Sequence, residues 1–205
     1  MTQDPGAGVV ICDLHGKVIW GNERCFRIYL GPEARPGDVI GKTWEELGFP
    51  EAWIDERLAM FREIKRSGEP VLLRTIWRGS QVLAWIYPLP PDGECEQDCF
   101  LVVSRISEAD IKELGQDVTG KVMVSGVARL GELDVLSPRE LEVLALLGQG
   151  LTIKEIAKIL FRSEKTIGRH RDSIGAKLGL SNKVDLAELA RRAGLTVEDV
   201  GRERV

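Results

Sequence analysis

The residues with the clearest chemistry are basic and polar side chains on one short segment near the C-terminus. From Glu164 to Leu178 the chain reads EKTIGRHRDSIGAKL, and Lys165, Arg169 and Arg171 fall on the side of a helix opposite its apolar residues. Lysine and arginine neutralise phosphates, and arginine can donate two hydrogen bonds to the edge of guanine. A capped helix with such a face suits entry into the major groove. The segment therefore predicts binding of double-stranded DNA.

The elements that must position this segment are also visible in the sequence. The word Ser137-Pro138-Arg139-Glu140 combines a serine N-cap, a proline in the first turn and a glutamate three residues after the cap. Thr152 and Ser163 are the expected N-caps of the next two helices, which are separated by a short break at Phe161 and Arg162. Two apolar-striped helices joined by a tight turn form a helix-turn-helix, whose second helix can enter the groove.

These features resemble the LuxR-type (GerE-type) helix-turn-helix of bacterial transcription factors, over residues 136–195. The words that carry the resemblance are LSPRELEVLALLGQGLT, KEIAKIL, SEKTIGRHRDSIGAKLGL and NKVDLAELA. The resemblance implies an all-α domain of four helices, in which the third helix reads DNA and the fourth supports a homodimer on an inverted repeat. It further implies a transcriptional regulator whose partners are double-stranded DNA and RNA polymerase.

The resemblance also assigns roles to individual positions. Phosphate contacts fall on Lys154, Lys165, Thr166, Arg171, Lys177 and Lys183, and the base-reading positions are Gly168, Arg169 and Asp172. Candidates for the buried and dimerisation faces of the fourth helix are Val184, Leu186 and Ala190. Gly168 departs from the family pattern, because a side chain often occupies that position. The glycine costs about 1 kcal/mol of helix propensity and makes Arg169 the favoured base reader.

Residues 1–106 predict an antiparallel sheet with helices on one face. The two residues Gly79-Ser80 between two apolar runs predict a hairpin with a type II′ turn. With the helical C-terminal domain, the fold class is therefore α+β. The expected strands are 8–13, 17–20, 71–78, 81–89 and 100–105, and the expected helices are 23–30, 39–47 and 50–67.

This order of elements resembles the PAS family of sensor domains over residues 7–106, on the words LHGKVIWGN, VIGKTWEEL, RSGEP and FLVVSRIS. PAS domains sense a small molecule, hold haem or flavin, or mediate dimerisation. No cofactor is indicated here, because His15 lies in a hairpin turn and Cys25 lacks the flanking pattern of a flavin photosensor. A small-molecule signal, a protein signal and a ligand-free dimerisation or docking module all stay open. We expect homodimerisation, because apolar residues occupy both faces of 81–89.

The remaining segments carry weaker signals. Residues 107–135 are expected to be an irregular linker with a short strand at 122–125, and residues 196–205 a C-terminal tail. Cys95 and Cys99 have a Cys-x-x-x-Cys spacing in an acidic loop, which supplies half of a zinc or iron–sulfur ligand set. An ordinary loop is expected there, with a disulfide or a metal switch as the alternative.

Composition limits the number of domains and the class of protein. The chain has 205 residues, of which 43% are hydrophobic and 29% charged, as in a globular protein of one or two domains. Residues 1–135 hold 15 Lys and Arg against 22 Asp and Glu, whereas residues 136–205 hold 13 against 10. An acidic front half and a basic back half suit a DNA-binding module joined to a non-binding one.

Further classes are disfavoured on the same grounds. No apolar run approaches the roughly 18 residues of a membrane span, and MTQDPGAG lacks the features of a signal peptide, so a cytoplasmic protein is expected. Neither half offers a nucleophile with a base, paired carboxylates, a phosphate-binding loop or a complete metal-ligand set, so no enzyme and no metal site is predicted. A promoter reader like sigma region four is the alternative for the helical domain.

Overall fold

The computed structural model describes residues 6–89, 98–109 and 120–205. The chain divides into two compact units, the first comprising Met1–Thr75, Val82–Val127 and Val205, the second Ile76–Gln81 and Ala128–Arg204. The first unit is a sheet with helices and the second is mainly helical, so the predicted α+β fold class is confirmed. No helix within the described ranges combines the length and the apolar character that a membrane crossing needs.

A six-stranded sheet in the order β2-β1-β5-β4-β3-β6 organises the first unit. β1 pairs antiparallel with both β2 and β5, and β4 pairs antiparallel with β5, whereas β6 runs parallel to β3. The antiparallel pairing of β1, β2, β4 and β5 agrees with the antiparallel sheet that the sequence predicts. The strands are β1 (Gly8–Asp13), β2 (Val18–Gly21), β3 (Val71–Trp77), β4 (Ser80–Leu89), β5 (Cys99–Ile106) and β6 (Lys121–Val124).

Three helices lie between β2 and β3, namely α1 (Glu23–Leu30), α2 (Pro36–Val39) and α3 (Glu51–Ser67). The Asn22 side chain caps α1 and also accepts a hydrogen bond from Val9 N at 3.0 Å, which ties the helix to β1. The predicted helix over 39–47 is wrong. Proline fixes the first turn of α2 upstream of it, and the Glu46 carboxylate accepts from Thr43 N at 2.8 Å, which closes a turn instead.

The turn between β3 and β4 also differs from the prediction. Its central residues are Arg78 and Gly79, with φ of 52° and 73°. Positive φ at both positions defines a type I′ turn, so the predicted type II′ turn at Gly79-Ser80 is wrong by one residue. The arginine sits in a region that favours glycine or asparagine, and no sequence rule would place it there.

The second unit contains the four predicted helices, α4 (Pro138–Gly148), α5 (Ile153–Ile159), α6 (Glu164–Leu178) and α7 (Lys183–Arg192). Short 3₁₀ turns span Gly131–Val135 and Val197–Gly201, and β7 (Val127–Ala128) pairs with β8 (Glu203–Arg204). The core is dominated by α4, whose Leu141, Val143, Leu144 and Leu147 are fully buried. The segment predicted as a tail is folded onto this unit, since Arg204 donates to Leu136 O at 3.0 Å.

Candidate nucleic-acid interface

Side-chain caps set the two helices of the helix-turn-helix. Thr152 and Glu155 form a capping box at the start of α5, in which Glu155 accepts from Thr152 N at 2.7 Å. Ser163 Oγ accepts from Thr166 N at 3.1 Å and starts α6. The caps and the bounds of α6 agree with the sequence prediction. The turn between the helices contains Phe161, which has φ of 52° and is 88% exposed.

The buried side of α6 packs in the core of the unit and contacts α4. Ile167 and Ile174 of α6 are fully buried in the core of the unit. Glu140 of α4 contacts two residues of α6. Its carboxylate accepts a hydrogen bond from Ser173 Oγ at 2.7 Å and forms an ion pair with Lys177 Nζ at 2.6 Å. These contacts fix the rotation of α6 about its axis, so its other side faces outward.

The Glu140 carboxylate is unusual because its side chain is only 5% exposed. Burial by itself disfavours its charge, but hydrogen bonds from Lys177, Ser137 and Ser173 outweigh burial and lower the pKa of Glu140 to about 2. The group is therefore ionised at neutral pH. A capping box at Ser137 and Glu140 is predicted from the sequence, whereas the role of Glu140 in holding α6 is not.

The predicted base-reading positions lie on the outward side of α6. Arg169 is exposed, and a Cβ added at Gly168 would meet nothing within 4 Å. Asp172 is exposed but accepts from its neighbour Arg171, with 2.5 Å between Nη2 and Oδ1. Arg169 is therefore the long side chain of this trio that lies exposed beside the open position at Gly168.

The predicted phosphate-binding residues are distributed around this face. Lys154 on α5 and Lys165 on α6 are exposed, and Thr166 is half-buried with its hydroxyl 2.8 Å from Ser163 Oγ. Arg171 and Lys183 line one open groove of about 480 Å³, and Asp172 lines the same groove. Lys177 differs from the others because its ammonium is held by Glu140.

The predicted dimerisation residues separate into two kinds. Val184 is 63% exposed on α7, whereas Leu186 and Ala190 are 2% and 1% exposed. A Cβ on Gly148 of α4 would lie 2.7 Å from Ala190 Cβ, so α4 and α7 already pack closely at that point. Leu186 and Ala190 therefore belong to the buried face of α7, and Val184 is the exposed residue among the three candidates.

The candidate cofactor residues of the first unit lie in structural positions. His15 is exposed in the turn between β1 and β2. Cys12 and Cys25 are buried, and burial raises the pKa of the Cys25 thiol to about 12 and also raises the pKa of the Cys12 thiol. The sequence predicts Cys99 in a loop, but it begins β5, opposite Asp13 of β1. Cys95 lies outside the described residues.

Residues 134–190 match the model of a family described as bacterial regulatory proteins, luxR family. The helical unit carries a LuxR-type domain. Curated relatives include the oxygen regulatory protein NreC from several strains of Staphylococcus aureus, which is 48% identical over 103 residues. The matched stretch covers 50% of this chain and 43% of NreC. The chain thus spans less than half the length of the curated relatives that it matches.

Solved structures to which the chain is similar include the Vibrio cholerae VqmA dimer in the absence of target DNA. It is 23% identical, with a TM-score of 0.44 over 99% of this chain and 90% of that one. The VqmA–ligand–DNA complex is 21% identical, with a TM-score of 0.47 over the same shares of both chains. The PAS domain of Bordetella pertussis BvgS is 18% identical, with a TM-score of 0.41 over 55% of this chain and 85% of that one. The match to the luxR family model is confined to residues 134–190.

Proposed function

We propose that this chain is a sequence-specific, DNA-binding transcriptional regulator that places α6 in the major groove. The observation that carries the proposal is the two-sided character of α6. Ile167 and Ile174 are fully buried, whereas Lys165 and Arg169 are exposed on a helix whose N-terminus is capped and accessible. A helix N-terminus and lysine side chains attract phosphates, which sets the helix against the duplex.

Base recognition is proposed to rest mainly on Arg169. A bidentate arginine–guanine pair contributes about 1–3 kcal/mol of discrimination against a wrong base. Gly168 leaves open space beside Arg169, so the DNA backbone or a base edge can approach α6 closely there. Asp172 would have to leave Arg171 before it could accept from a cytosine amino group. We therefore expect few bases to be read directly by each α6.

Phosphate binding is proposed for Lys154, Lys165, Thr166, Arg171 and Lys183, which lie on the exposed side of α5, α6 and α7 or border the groove between α6 and α7. Lys177 is the weakest of the predicted contacts, because the buried Glu140 carboxylate already balances its charge. We propose that it positions α6 and adds little to the salt dependence of DNA binding.

We further propose that the regulator binds as a homodimer. The exposed side of α7, with Val184, is the available surface of the helix that the LuxR resemblance assigns to dimerisation. Two copies related by a twofold axis would place two α6 helices about 34 Å apart, on half-sites one turn of DNA apart. RNA polymerase is the proposed protein partner at the promoter.

The PAS-like first unit is proposed to control this output. It encloses an apolar cavity lined by Tyr29, Trp53 and Arg57, among others, and such cavities are the usual sites of small ligands. The second candidate is a ligand-free unit that only dimerises or docks a protein. Trp85 favours it, because this residue is only partly buried beside Leu72 and Leu83 on the sheet and a second protein could cover the rest of its ring.

Selection from a random duplex library with the purified full chain tests the proposal. We expect enrichment of an inverted repeat and a complex of two chains per duplex, because a twofold-symmetric reader requires symmetric half-sites. Enrichment of one half-site with a single chain bound would contradict the homodimer. Failure to enrich any sequence without added RNA polymerase, but enrichment with it, would favour the sigma-like alternative.

A further inference from the structure

The turn that precedes α6 carries an exposed aromatic side chain. Phe161 is 88% exposed, and Val184 at 63% is the next most exposed large apolar residue of the described ranges. Ile159, the last residue of α5, is 49% exposed as well. Single exposed apolar residues are common on protein surfaces, so exposure alone assigns no role to Phe161. The backbone that carries its ring is a second departure from what stability favours.

The backbone of Phe161 occupies the left-handed position of a helix C-terminus. Phe161 N donates to Lys158 O at 3.3 Å and Arg162 N donates to Ala157 O at 2.9 Å, which is the Schellman arrangement at the end of α5. Phe161 is the left-handed residue of that motif, with φ of 52°. Glycine is usual there, because it has no Cβ. Residues held in such conformations cluster at functional sites, so a role in binding explains Phe161 better than a role in folding.

The place of the turn in the helix-turn-helix indicates which partner the ring meets. The first helix of such a motif crosses the DNA backbone, and the N-terminal residues of the second contact base edges in the major groove. The turn between them therefore lies where the backbone borders the groove. Phe161 lies in this turn, two residues before Ser163, the N-cap of α6. Lys158, Arg162 and Lys165 lie within four residues of Phe161, and all three are exposed, so they supply positive charge for the phosphates.

The chemistry of the ring shows which group of the duplex fits it. A phenylalanine ring has no conventional hydrogen-bond donor or acceptor, so it cannot read the polar groups of base edges. The C5-methyl group of thymine is the apolar group of the major groove, and phenylalanine is among the side chains that contact it. Lysine and arginine in the turn bind the backbone of any sequence, whereas a ring against a methyl group distinguishes thymine from the other bases.

We propose that Phe161 is a specificity-determining residue of the DNA-binding unit, whose ring packs on the C5-methyl group of a thymine at the edge of each half-site. This inference rests on the proposed binding of α6 in the major groove and adds an apolar base contact outside α6. Removal of one methyl group from water corresponds to about a fourfold gain in affinity. Each half-site therefore contains one thymine whose methyl group contributes through Phe161.

Deoxyuridine in the selected inverted repeat tests the contact, because it lacks the methyl group and keeps every hydrogen-bonding group of thymine. Each thymine of a half-site is replaced in turn, and the affinity of the full chain is measured. We expect one position at which uracil weakens binding about fourfold, and Phe161→Asn should abolish the difference at that position alone. Val135→Asn is the matched control and should keep the difference, because Val135 is 57% exposed but lies in the 3₁₀ turn Gly131–Val135. A selected half-site without thymine, or the same uracil profile in Phe161→Asn as in the unaltered chain, would overturn the inference.

Fluorine NMR of the full chain labelled with 4-fluorophenylalanine covers the case in which Phe161→Asn does not fold. Of the five phenylalanines, Phe161 is the exposed one, since Phe26, Phe61 and Phe100 are buried and Phe49 is half-buried. The Phe161 signal is assigned from its absence in Phe161→Leu, and its shift between H₂O and D₂O reports contact with solvent.

We expect the solvent shift of the Phe161 signal to be largely lost when the selected duplex is added, because the ring becomes covered. A solvent shift that persists in the duplex complex, or that is lost only after RNA polymerase is added, overturns the inference and leaves the binding of α6 to DNA intact. A chain that binds no duplex with sequence preference rejects the proposed function itself.

Discussion

The two units of this chain place their functional residues in opposite ways. In the helical unit the proposed DNA-reading surface is concentrated on α6, a helix of 15 residues, with a few lysines from its neighbours. In the sheet unit the cavity is assembled from residues as distant in sequence as Val10 and Val102. One site is an exposed face of a single element, and the other is an internal space between many elements.

The location of the functional residues determines where each unit is sensitive to substitution. An exposed surface can change residue by residue without loss of folding, because its side chains make few contacts. A cavity shares its walls with the core, so a change of ligand-contacting residue also changes packing. We expect substitutions in the sheet unit to affect stability and binding together, and substitutions on the outer side of α6 to separate them.

The sharpest test of that expectation in the sheet unit is Phe61→Ala. Phe61 is 1% exposed and stacks on Phe100 with 4.0 Å between ring centres, and it also lines the cavity. Its truncation should lower the free energy of unfolding by about 3–5 kcal/mol and enlarge the cavity. Denaturant unfolding followed by tryptophan fluorescence measures the loss. Ile19→Ala, at a position that is 42% exposed, should cost far less. Equal effects at the two positions would break the distinction between cavity wall and surface.

In the helical unit, Glu140 is a buried residue whose replacement should affect stability. The pKa of Glu140 is lowered from 4.5 to about 2 in the folded chain, so its ionised form stabilises the unit above pH 4.5, and that stabilisation is lost as the pH falls toward 2. Glu140→Gln should remove up to about 3 kcal/mol at neutral pH and flatten the loss of stability in acid. The measurement is unfolding free energy against pH.

Glu188→Gln supplies the control for this series. Glu188 is exposed on α7, so its replacement should change the free energy of unfolding by no more than about 0.5 kcal/mol. If Glu140→Gln left the profile between pH 4.5 and 2 as steep as before, Glu140 would not be the group that holds α6 against α4.

A pair of glycines on α6 separates the surface of that helix from its packed side. A Cβ at Gly175 would lie 2.4 Å from Leu180 O, whereas a Cβ at Gly168 would meet nothing within 4 Å. Gly175→Ala should therefore lower the free energy of unfolding by about 2 kcal/mol through overpacking. Gly168→Ala should raise it by about 1 kcal/mol through helix propensity. Thermal melts of both variants compare them, and the same sign for both would contradict the assigned orientation of α6.

The smallest expected effect concerns the turn before α6. Phe161 has φ of 52° and is 88% exposed, so its ring contributes little packing while its backbone is strained. Phe161→Asn should stabilise the unit by about 0.5–1 kcal/mol, because asparagine tolerates this conformation better. Phe161→Leu keeps the strain and should give no gain. The two melting temperatures would coincide if the strain were absent.

The sequence predicts local features of the helical unit well because they depend on neighbouring residues. Caps at Ser137, Thr152 and Ser163 and the bounds of α6 follow from side chains within one helical turn. The contacts of Glu140 with Ser173 and Lys177 join residues 33 and 37 positions apart, so no spacing rule reveals them. The same limit explains Leu186 and Ala190, whose burial depends on how α7 packs on α4.

In the sheet unit the sequence of strands and helices along the chain is predictable from apolar runs and turn residues, but the details depend on geometry. The strained Arg78 shifts the β3–β4 turn by one residue, and Pro36 starts α2 earlier than its apolar pattern indicates. The contact of Arg57 with Ser125 joins α3 to the end of β6, in a segment that reads as linker. The cavity itself depends on such long-range contacts, which explains why the sequence indicates a sensor without a ligand class.

Quantitative binding of the full chain and two variants to the selected DNA site tests the central claim most directly. Arg169→Ala should lose about 1–3 kcal/mol of preference for the selected site over a scrambled one and keep weak, salt-sensitive binding. Lys165→Ala should weaken both equally and reduce the salt slope by about one unit. Arg191→Ala, exposed on α7, should change neither. An unchanged preference in Arg169→Ala would contradict the proposal that α6 reads the DNA sequence.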